Sequence, residues 1–107
     1  MVQQIADKAG FDAVLKDAGG KLVVVDFTAT WCGPCQRIGP KFVEMAGQFT
    51  NCVFIKVDVD DNEETAAACG IKCMPTFQFY VNGEKVDEMS GADEATLKTK
   101  VEGNIPK

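Results

Sequence analysis

One short run of apolar residues constrains the fold of this 107-residue chain more than any other feature. Residues 22–27 read Leu-Val-Val-Val-Asp-Phe, with no alternation of apolar and polar side chains. A strand of this kind is buried on both faces, which is typical of a parallel sheet covered by helices on each side. We therefore expect an α/β fold with residues 22–27 as a central strand.

The rest of the chain alternates between strand and helix patterns, and Asn82-Gly83 has the composition of a tight hairpin turn. The predicted strands are residues 2–6, 22–27, 52–59, 76–81 and 84–90, and the predicted helices are residues 7–18, 32–49, 61–69 and 93–105. We expect Asp7 and Asp93 to cap the first and last helices. We also expect a kink at Pro40 and a capping box between Asp61 and Glu64. This order predicts a single domain over residues 1–107, in which a central mixed sheet of five strands is flanked by four helices, with helices on both faces.

Charge and composition exclude several classes of function. Sixteen acidic against eleven basic residues give a net charge of -5, the wrong sign for binding nucleic acid or an anionic membrane surface. Residues 1–10 lack the basic start and apolar stretch of a signal peptide, and no apolar run could span a bilayer, so we expect a soluble cytoplasmic chain. The sequence contains no histidine, which excludes imidazole bases and histidine zinc ligands.

A pair of cysteines lies where the central strand gives way to a helix, in the sequence Cys32-Gly33-Pro34-Cys35. Cys32 is expected at the helix N-terminus, where unpaired N–H groups and the helix dipole favour a thiolate. Cys35 lies one turn further on the same face, close enough to form a disulfide with Cys32. Pro34 is tolerated in a first helical turn, because N–H groups there have no intrahelical partner. The pattern predicts reversible thiol-disulfide chemistry.

Two other interpretations of the cysteine pair stay open from spacing alone. The pair could be half of a zinc site completed by Cys69 and Cys73, or it could be a structural disulfide. Zinc ligands usually lie in irregular loops rather than at the start of a long helix, which argues against a metal. Structural disulfides are rare in a reducing cytosol. We therefore predict no metal site.

Several motifs follow one another in order along the chain: residues 26–35 (DFTATWCGPC), Pro40, residues 57–60 (VDVD), residues 74–77 (MPTF), Asn82-Gly83 and Gly91-Ala92. Together these motifs resemble the thioredoxin family. The match is nearly end to end and is most similar to the cytosolic thioredoxins of animals. The chain departs from the pattern at Gln36-Arg37, where lysine is common, at Gly39, where a larger side chain is usual, and at Cys52.

The resemblance implies the thioredoxin fold and a protein-disulfide reductase. Cys32 attacks a disulfide of a substrate protein, Cys35 resolves the mixed disulfide, and thioredoxin reductase re-reduces the pair with NADPH. No bound cofactor is implied. Disulfide-containing substrates such as peroxiredoxins, ribonucleotide reductase and methionine sulfoxide reductases are the implied partners. The alternative is a redox-gated binding module, in which the oxidation state of the pair controls a partner protein.

Asp26 is the least expected residue of the central strand, because a carboxylate among valines is costly to ionise. A carboxylate that reaches water at the strand end, or one paired with Lys56, would be purely structural. The resemblance favours a catalytic role, in which an acid of raised pKa behind Cys35 relays its proton.

The resemblance also implies which residues contact a substrate. Trp31 is expected to cover the site rather than fill the core. The Met74–Pro75 bond is expected to be cis, with the backbone of Met74 free to pair with an extended substrate. Gly91 and Ala92 are expected to form a flat wall opposite. The predicted substrate-binding residues are therefore Trp31, Gly33, Pro34, Met74, Pro75, Gly91 and Ala92.

The remaining cysteines and the acidic residues have more than one interpretation. Cys73 is expected near the rim, where it would be a regulatory thiol, able to link two otherwise monomeric chains, or an inert one. Cys69, a second regulatory candidate, and Cys52 are expected to be buried apolar residues. The acidic residues of the segment 58–64 are interpreted as a solvated cap and turn rather than a metal site.

Overall fold

Five strands form one mixed sheet in the computed structural model, which describes residues 2–107. Their spatial order is β1-β3-β2-β4-β5. The strands are β1 (Val2–Gln4), β2 (Val23–Thr28), β3 (Val53–Asp58), β4 (Thr76–Val81) and β5 (Glu84–Ser90). Strand β3 is parallel to β1 and β2, whereas β4 is antiparallel to β2 and β5. The predicted mixed sheet is confirmed, with the continuous apolar run at its centre.

Four helices cover the two faces of the sheet. They are α1 (Lys8–Asp17), α2 (Gly33–Gln48), α3 (Glu63–Ala68) and α4 (Glu94–Asn104). Alternate residues of a strand point to opposite faces, and this divides the core in two. Val24 packs with residues of α2 and α4, whereas Val23 and Val25 pack with Phe11 of α1 and the segment that follows α3. The prediction of helices on both faces is confirmed.

The face on which Asp26 lies follows from the same alternation. Asp26 has the parity of Val24, so its side chain belongs to the side of the sheet covered by α2 and α4. Its neighbour in register on the parallel strand β3 is Lys56. The carboxyl group therefore lies beneath the helix that carries the cysteine pair.

Side-chain caps begin the helices. Asp7 and Asp93 accept backbone N–H bonds at the starts of α1 and α4, as predicted. The capping box predicted between Asp61 and Glu64 is wrong, because α3 begins one residue later: the side chain of Asn62 accepts the N–H of Thr65.

The hairpin and the interior proline of α2 lie where the sequence places them. Asn82 and Gly83 both have positive φ angles, 53° and 80°, as the predicted type I′ turn requires. The following strand β5 pairs antiparallel with β4. Pro40 lies inside α2, while the kink expected there stays a prediction. Within residues 2–107, no helix is long and apolar enough to cross a membrane.

Candidate active site

The cysteine pair lies at the carboxyl edge of the sheet, where the chain leaves β2 and enters α2. Cys32 is the N-cap residue of α2 and Cys35 lies in its first turn. The two residues form a disulfide, with their Cα atoms 5.2 Å apart. The placement predicted from the sequence is therefore confirmed.

The first turn of α2 directs polar groups at the sulfur of Cys32. The backbone N–H of Cys35 donates to the Sγ atom of Cys32 at 3.2 Å. Pro34 occupies the first turn without loss of an intrahelical bond. An N–H donor and the positive end of the helix dipole stabilise a negative sulfur. When the disulfide is reduced, this geometry favours the thiolate at Cys32.

Asp26 lies in the body of β2 and is only 3% exposed. Burial raises the pKa of its carboxyl from 3.8 to about 7, and the charge of Lys56 opposes this rise. Its Oδ1 atom has no hydrogen-bond partner within residues 2–107. A carboxyl at the strand end, one of the two structural interpretations, is thereby excluded. The other structural interpretation is a pairing with Lys56, and it amounts only to the effect of the Lys56 charge on the pKa of Asp26.

Trp31 precedes the pair and is 67% exposed, so it is not a core residue. Its indole Nε1 donates to Oδ2 of Asp60 at 2.8 Å. This contact is not predicted from the sequence, in which Asp60 is interpreted only as part of a solvated turn. A signal was present: Trp31 follows β2 and Asp60 follows β3, and the carboxyl ends of two parallel neighbours meet at one edge of a sheet.

Two further loops border the pair. The Met74–Pro75 bond is cis, as the resemblance implied, and Met74 packs against the small cluster of Ala29, Cys32 and Cys35. The N–H of Gly91 donates to the carbonyl of Pro75 at 2.9 Å, which ties the two loops together.

The exposure of the other predicted substrate contacts is uneven. Gly33 and Pro34 are exposed at the start of α2, and Gly91 is exposed, with a φ angle of 99° that favours glycine. A Cβ atom at Gly91 would meet open space. Ala92 is half-buried against the core on the α2 side, so it offers less surface to a partner than the sequence suggested.

Gln36 is a second residue that sequence analysis missed. Its side-chain Nε2 donates to the carbonyl of Ala29 at 3.0 Å, and the same carbonyl accepts the backbone N–H of Cys32 at 3.2 Å. Gln36 therefore joins the first turns of α2 to the loop before the pair. No sequence pattern signals this contact, since an exposed glutamine on a helix is ordinary.

The three remaining cysteines differ in exposure. Cys73 is exposed, and hydrogen bonds with Ser90 and Thr76 lower the pKa of its thiol. Cys69 and Cys52 are half-buried rather than buried, and burial raises the pKa of both thiols. Cys69 terminates α3 and Cys52 precedes β3, so each lies at an element end that is only partly covered. The expectation that both are buried is corrected in this respect.

Potential metal ligands do not gather anywhere in the part of the chain that the structure describes. Residues 2–107 contain no group of three or more cysteine, aspartate or glutamate side chains placed to hold a metal ion. Two of the potential ligands, Cys32 and Cys35, are bonded to each other in a disulfide. The side chain of Asp58 accepts the backbone N–H groups of Asp60 and Asp61 and so shapes a turn.

Comparison with known proteins settles the family. The thioredoxin family model matches residues 2–103. The chain belongs to the thioredoxin family. It is 59% identical to a thioredoxin of Ictalurus punctatus, covering 94% of this chain and 96% of that one. It is 58% identical to a thioredoxin of Geodia cydonium, covering 97% and 99% of the two chains. The solved thioredoxin of Fasciola hepatica superposes with a TM-score of 0.93 at 42% identity, covering 94% and 97%.

Membership of the thioredoxin family establishes the general chemistry. Thioredoxins are disulfide reductases, and the redox-active pair of this chain lies in the position that such chemistry needs. The chain is a thiol-disulfide oxidoreductase with the thioredoxin fold. In general terms, its partners are disulfide-containing proteins and thioredoxin reductase.

Proposed function

We propose that the chain is a general protein-disulfide reductase in which Cys32 is the nucleophile, Cys35 resolves the intermediate and Asp26 relays the proton of Cys35. One observation carries these roles. The Sγ atom of Cys32, the N-cap residue, accepts an N–H bond from the first turn of α2. Cys35 is 2% exposed and lies on the side of the sheet that holds the Asp26 carboxyl.

The reaction proceeds in two exchanges. The Cys32 thiolate attacks a substrate disulfide, so that a Cys32–substrate bond forms and the first substrate sulfur leaves as a thiolate. Cys35 then loses its proton to the Asp26 carboxylate and attacks Cys32. The Cys32–Cys35 bond forms, the mixed disulfide breaks and the second substrate thiolate leaves. The two substrate sulfurs take up protons, and two electrons have passed from the pair to the substrate.

A substrate docks around Cys32 on a docking surface that we define as Trp31, Gly33, Pro34, Met74, Pro75, Gly91 and Ala92. Pro75 is itself buried and contributes through the loop that it shares with Met74. Trp31 supplies an exposed aromatic anchor whose orientation Asp60 restrains. No large side chain stands beside Cys32 at Gly33, Pro34 or Gly91, so a substrate can approach closely there. The loop of Met74 and Pro75 offers backbone groups beside the pair, a mode of recognition that accepts many sequences.

The direction of the reaction is reduction of the substrate. Thioredoxins have potentials near -270 mV, against about -180 mV for protein disulfide isomerase, a difference of about 4 kcal/mol at ~1.4 kcal/mol per 30 mV. We propose that NADPH-dependent thioredoxin reductase restores the dithiol. We propose that the chain acts in the cytoplasm. Its substrates there would be of the classes expected from the sequence: peroxiredoxins, ribonucleotide reductase and methionine sulfoxide reductases. We propose a monomer, with Cys73 as the thiol that can link two chains and Cys69 as a further regulatory candidate.

A coupled assay tests this proposal. NADPH consumption is followed with thioredoxin reductase and insulin as the disulfide substrate. The wild type should turn over, Cys32→Ser should fall to background, and Cys35→Ser should accumulate a covalent insulin adduct on a non-reducing gel. Cys73→Ser is the matched control and should keep wild-type turnover. No turnover by the wild type would favour the redox-gated binding module, and full activity of both active-site variants would exclude the mechanism.

A further inference from the structure

A groove of about 590 Å³ lies behind the cysteine pair, away from the docking surface. Its floor is the sheet and its wall is α2. The floor residues share one face by strand parity and register, because Gln4, Lys56 and Asp26 are aligned across β1, β3 and β2. The helix wall includes Cys35, Gln36, Gly39, Pro40 and Val43.

The groove offers polar groups to which water can bind. Its floor and rim are rich in polar groups, including Gln4, Thr28, Lys56 and Asp58. Buried space that is roomy and polar holds water, whereas apolar cavities stay dry. Asp26 lines this groove, and within residues 2–107 nothing hydrogen-bonds its Oδ1 atom, which is itself fully covered. Because buried carboxyl groups are nearly always hydrogen-bonded and Asp26 keeps 3% of its surface exposed, water in the groove is the natural partner of the part of this side chain that stays accessible.

Gly39 controls how wide the groove is. It lies one turn after Cys35 and Gln36, and a Cβ atom built at this position would meet nothing within 4 Å. Side chains on a helix lean toward its N-terminus. A side chain at position 39 would therefore extend over the part of the groove next to Cys35 and Gln36. With glycine there, that part stays open.

We propose that this groove, held open by Gly39, is the path along which water exchanges a proton between Asp26 and the bulk solvent during turnover. The inference rests on the proton-accepting role of Asp26 proposed above. Asp26 takes the proton of the Cys35 thiol, and that proton must leave before the next cycle. The docking surface is covered by substrate at that stage, whereas the groove opens on the other side of α2. Gly39 is thus a positioning residue that acts through Asp26.

Four titratable groups besides Asp26 line the groove, where they can affect the charge state of Asp26. Cys35 approaches from α2, Lys56 and Asp58 from β3, and Asp61 from the turn before α3. Strand β4, on the other side of β2, pairs Phe77 with Asp26 and adds no charge at that position. Lys56 favours the ionised form of Asp26. A side chain that displaces water from the groove would oppose ionisation, since desolvation disfavours the charged form of a carboxyl.

A matched pair of variants tests the proposal. Gly39→Leu fills the groove, and Gly47→Leu makes the same change in the same helix, at an exposed position that does not line it. Gly39→Ala provides an intermediate. In the oxidised protein, the pKa of Asp26 is read by carbon NMR of labelled aspartate. We expect a rise of about one unit in Gly39→Leu, less than the ~3–5 units that full burial can produce, a smaller rise in Gly39→Ala and none in Gly47→Leu.

Turnover of insulin with thioredoxin reductase is the second readout. Gly39→Leu should lower kcat severalfold, less than the ~10²-fold loss typical of removing a general acid or base, with Gly47→Leu unchanged. Combining Gly39→Leu with Asp26→Ala should slow turnover no further than Asp26→Ala alone. Equal pKa and kcat in the two leucine variants, or additive losses in the double variant, would overturn the proposal. A wild-type rate and pH profile for Asp26→Ala would instead reject the proposed function of Asp26 itself.

Discussion

Replacement of Asp26 tests how burial acts on stability. The pKa of its carboxyl rises from 3.8 to about 7 on folding, so ionising it in the folded chain costs about 4 kcal/mol, at about 1.36 kcal/mol for each pKa unit. The sign follows from linkage. Below pH 3.8 the carboxyl is neutral in both the folded and the unfolded chain, so its burial lowers stability by nothing. As the pH rises to about 7, the carboxyl ionises in the unfolded chain but not in the folded one, and the free energy of unfolding falls. Asp26→Ala removes the titration and with it this loss.

Relative to the wild type, the free energy of unfolding of Asp26→Ala should therefore climb by about 4 kcal/mol between about pH 4 and pH 8, and then level off. Asp26→Asn is the control, because it removes the same titration while keeping the side-chain volume. The two variants should differ by an amount that does not change with pH.

The assay is urea unfolding of the oxidised proteins from pH 4 to pH 9. Circular dichroism gives the transition, and the fluorescence of Trp31, the only tryptophan of the chain, gives an independent one. A difference between variant and wild type that is flat with pH would refute the reasoning. So would an Asp26→Ala protein that is less stable than the wild type at pH 7.

Three other substitutions test the fold by urea unfolding. Phe42→Ala, at a position 1% exposed beneath α2, should cost about 3–5 kcal/mol, and a loss below 1 kcal/mol would contradict the packing described. Gly83→Ala, at a φ of 80°, should cost about 1–2 kcal/mol; no loss would mean that the turn has another conformation. Hydrogen bonds from Asn104 and Lys100 hold the pKa of Asp87 below its usual value. Asp87→Ala should therefore lower the free energy of unfolding by about 1 kcal/mol at pH 7, and this loss should shrink below pH 4. A loss that does not change with pH would argue against these bonds.

The sequence predicts the sheet and the cysteine pair well because local chemistry fixes both. The unbroken apolar run at residues 22–27 leaves a strand buried on both faces as the main possibility. Asn82-Gly83 specifies its own turn, and the pattern at Cys32 specifies a helix start. The burial of Asp26 follows from its valine neighbours. None of these features needs a partner that is distant in sequence.

The features that the sequence did not predict depend on contacts between distant segments. The Trp31–Asp60 bond joins two loops that only the pairing of β2 with β3 brings together. The start of α3 was misplaced by one residue because Asp58 holds the N–H of Asp61 in the preceding turn, which leaves Asn62 to cap the helix. The groove behind the pair arises from three strands and one helix, so no single segment carries a signal for it.

The rate of alkylation of Cys32 by iodoacetamide, measured against pH on the reduced protein, tests the central claim most directly. Cys73→Ser is the background to use, because the exposed Cys73 would otherwise react as well. Mass spectrometry assigns the modified residue. We expect Cys32 to be labelled first, with a pKa clearly below the ~8.5 of free cysteine and within its range of about 3.5–7.5 at helix N-termini. A pKa equal to that of free cysteine, or labelling of Cys35 before Cys32, would contradict the account.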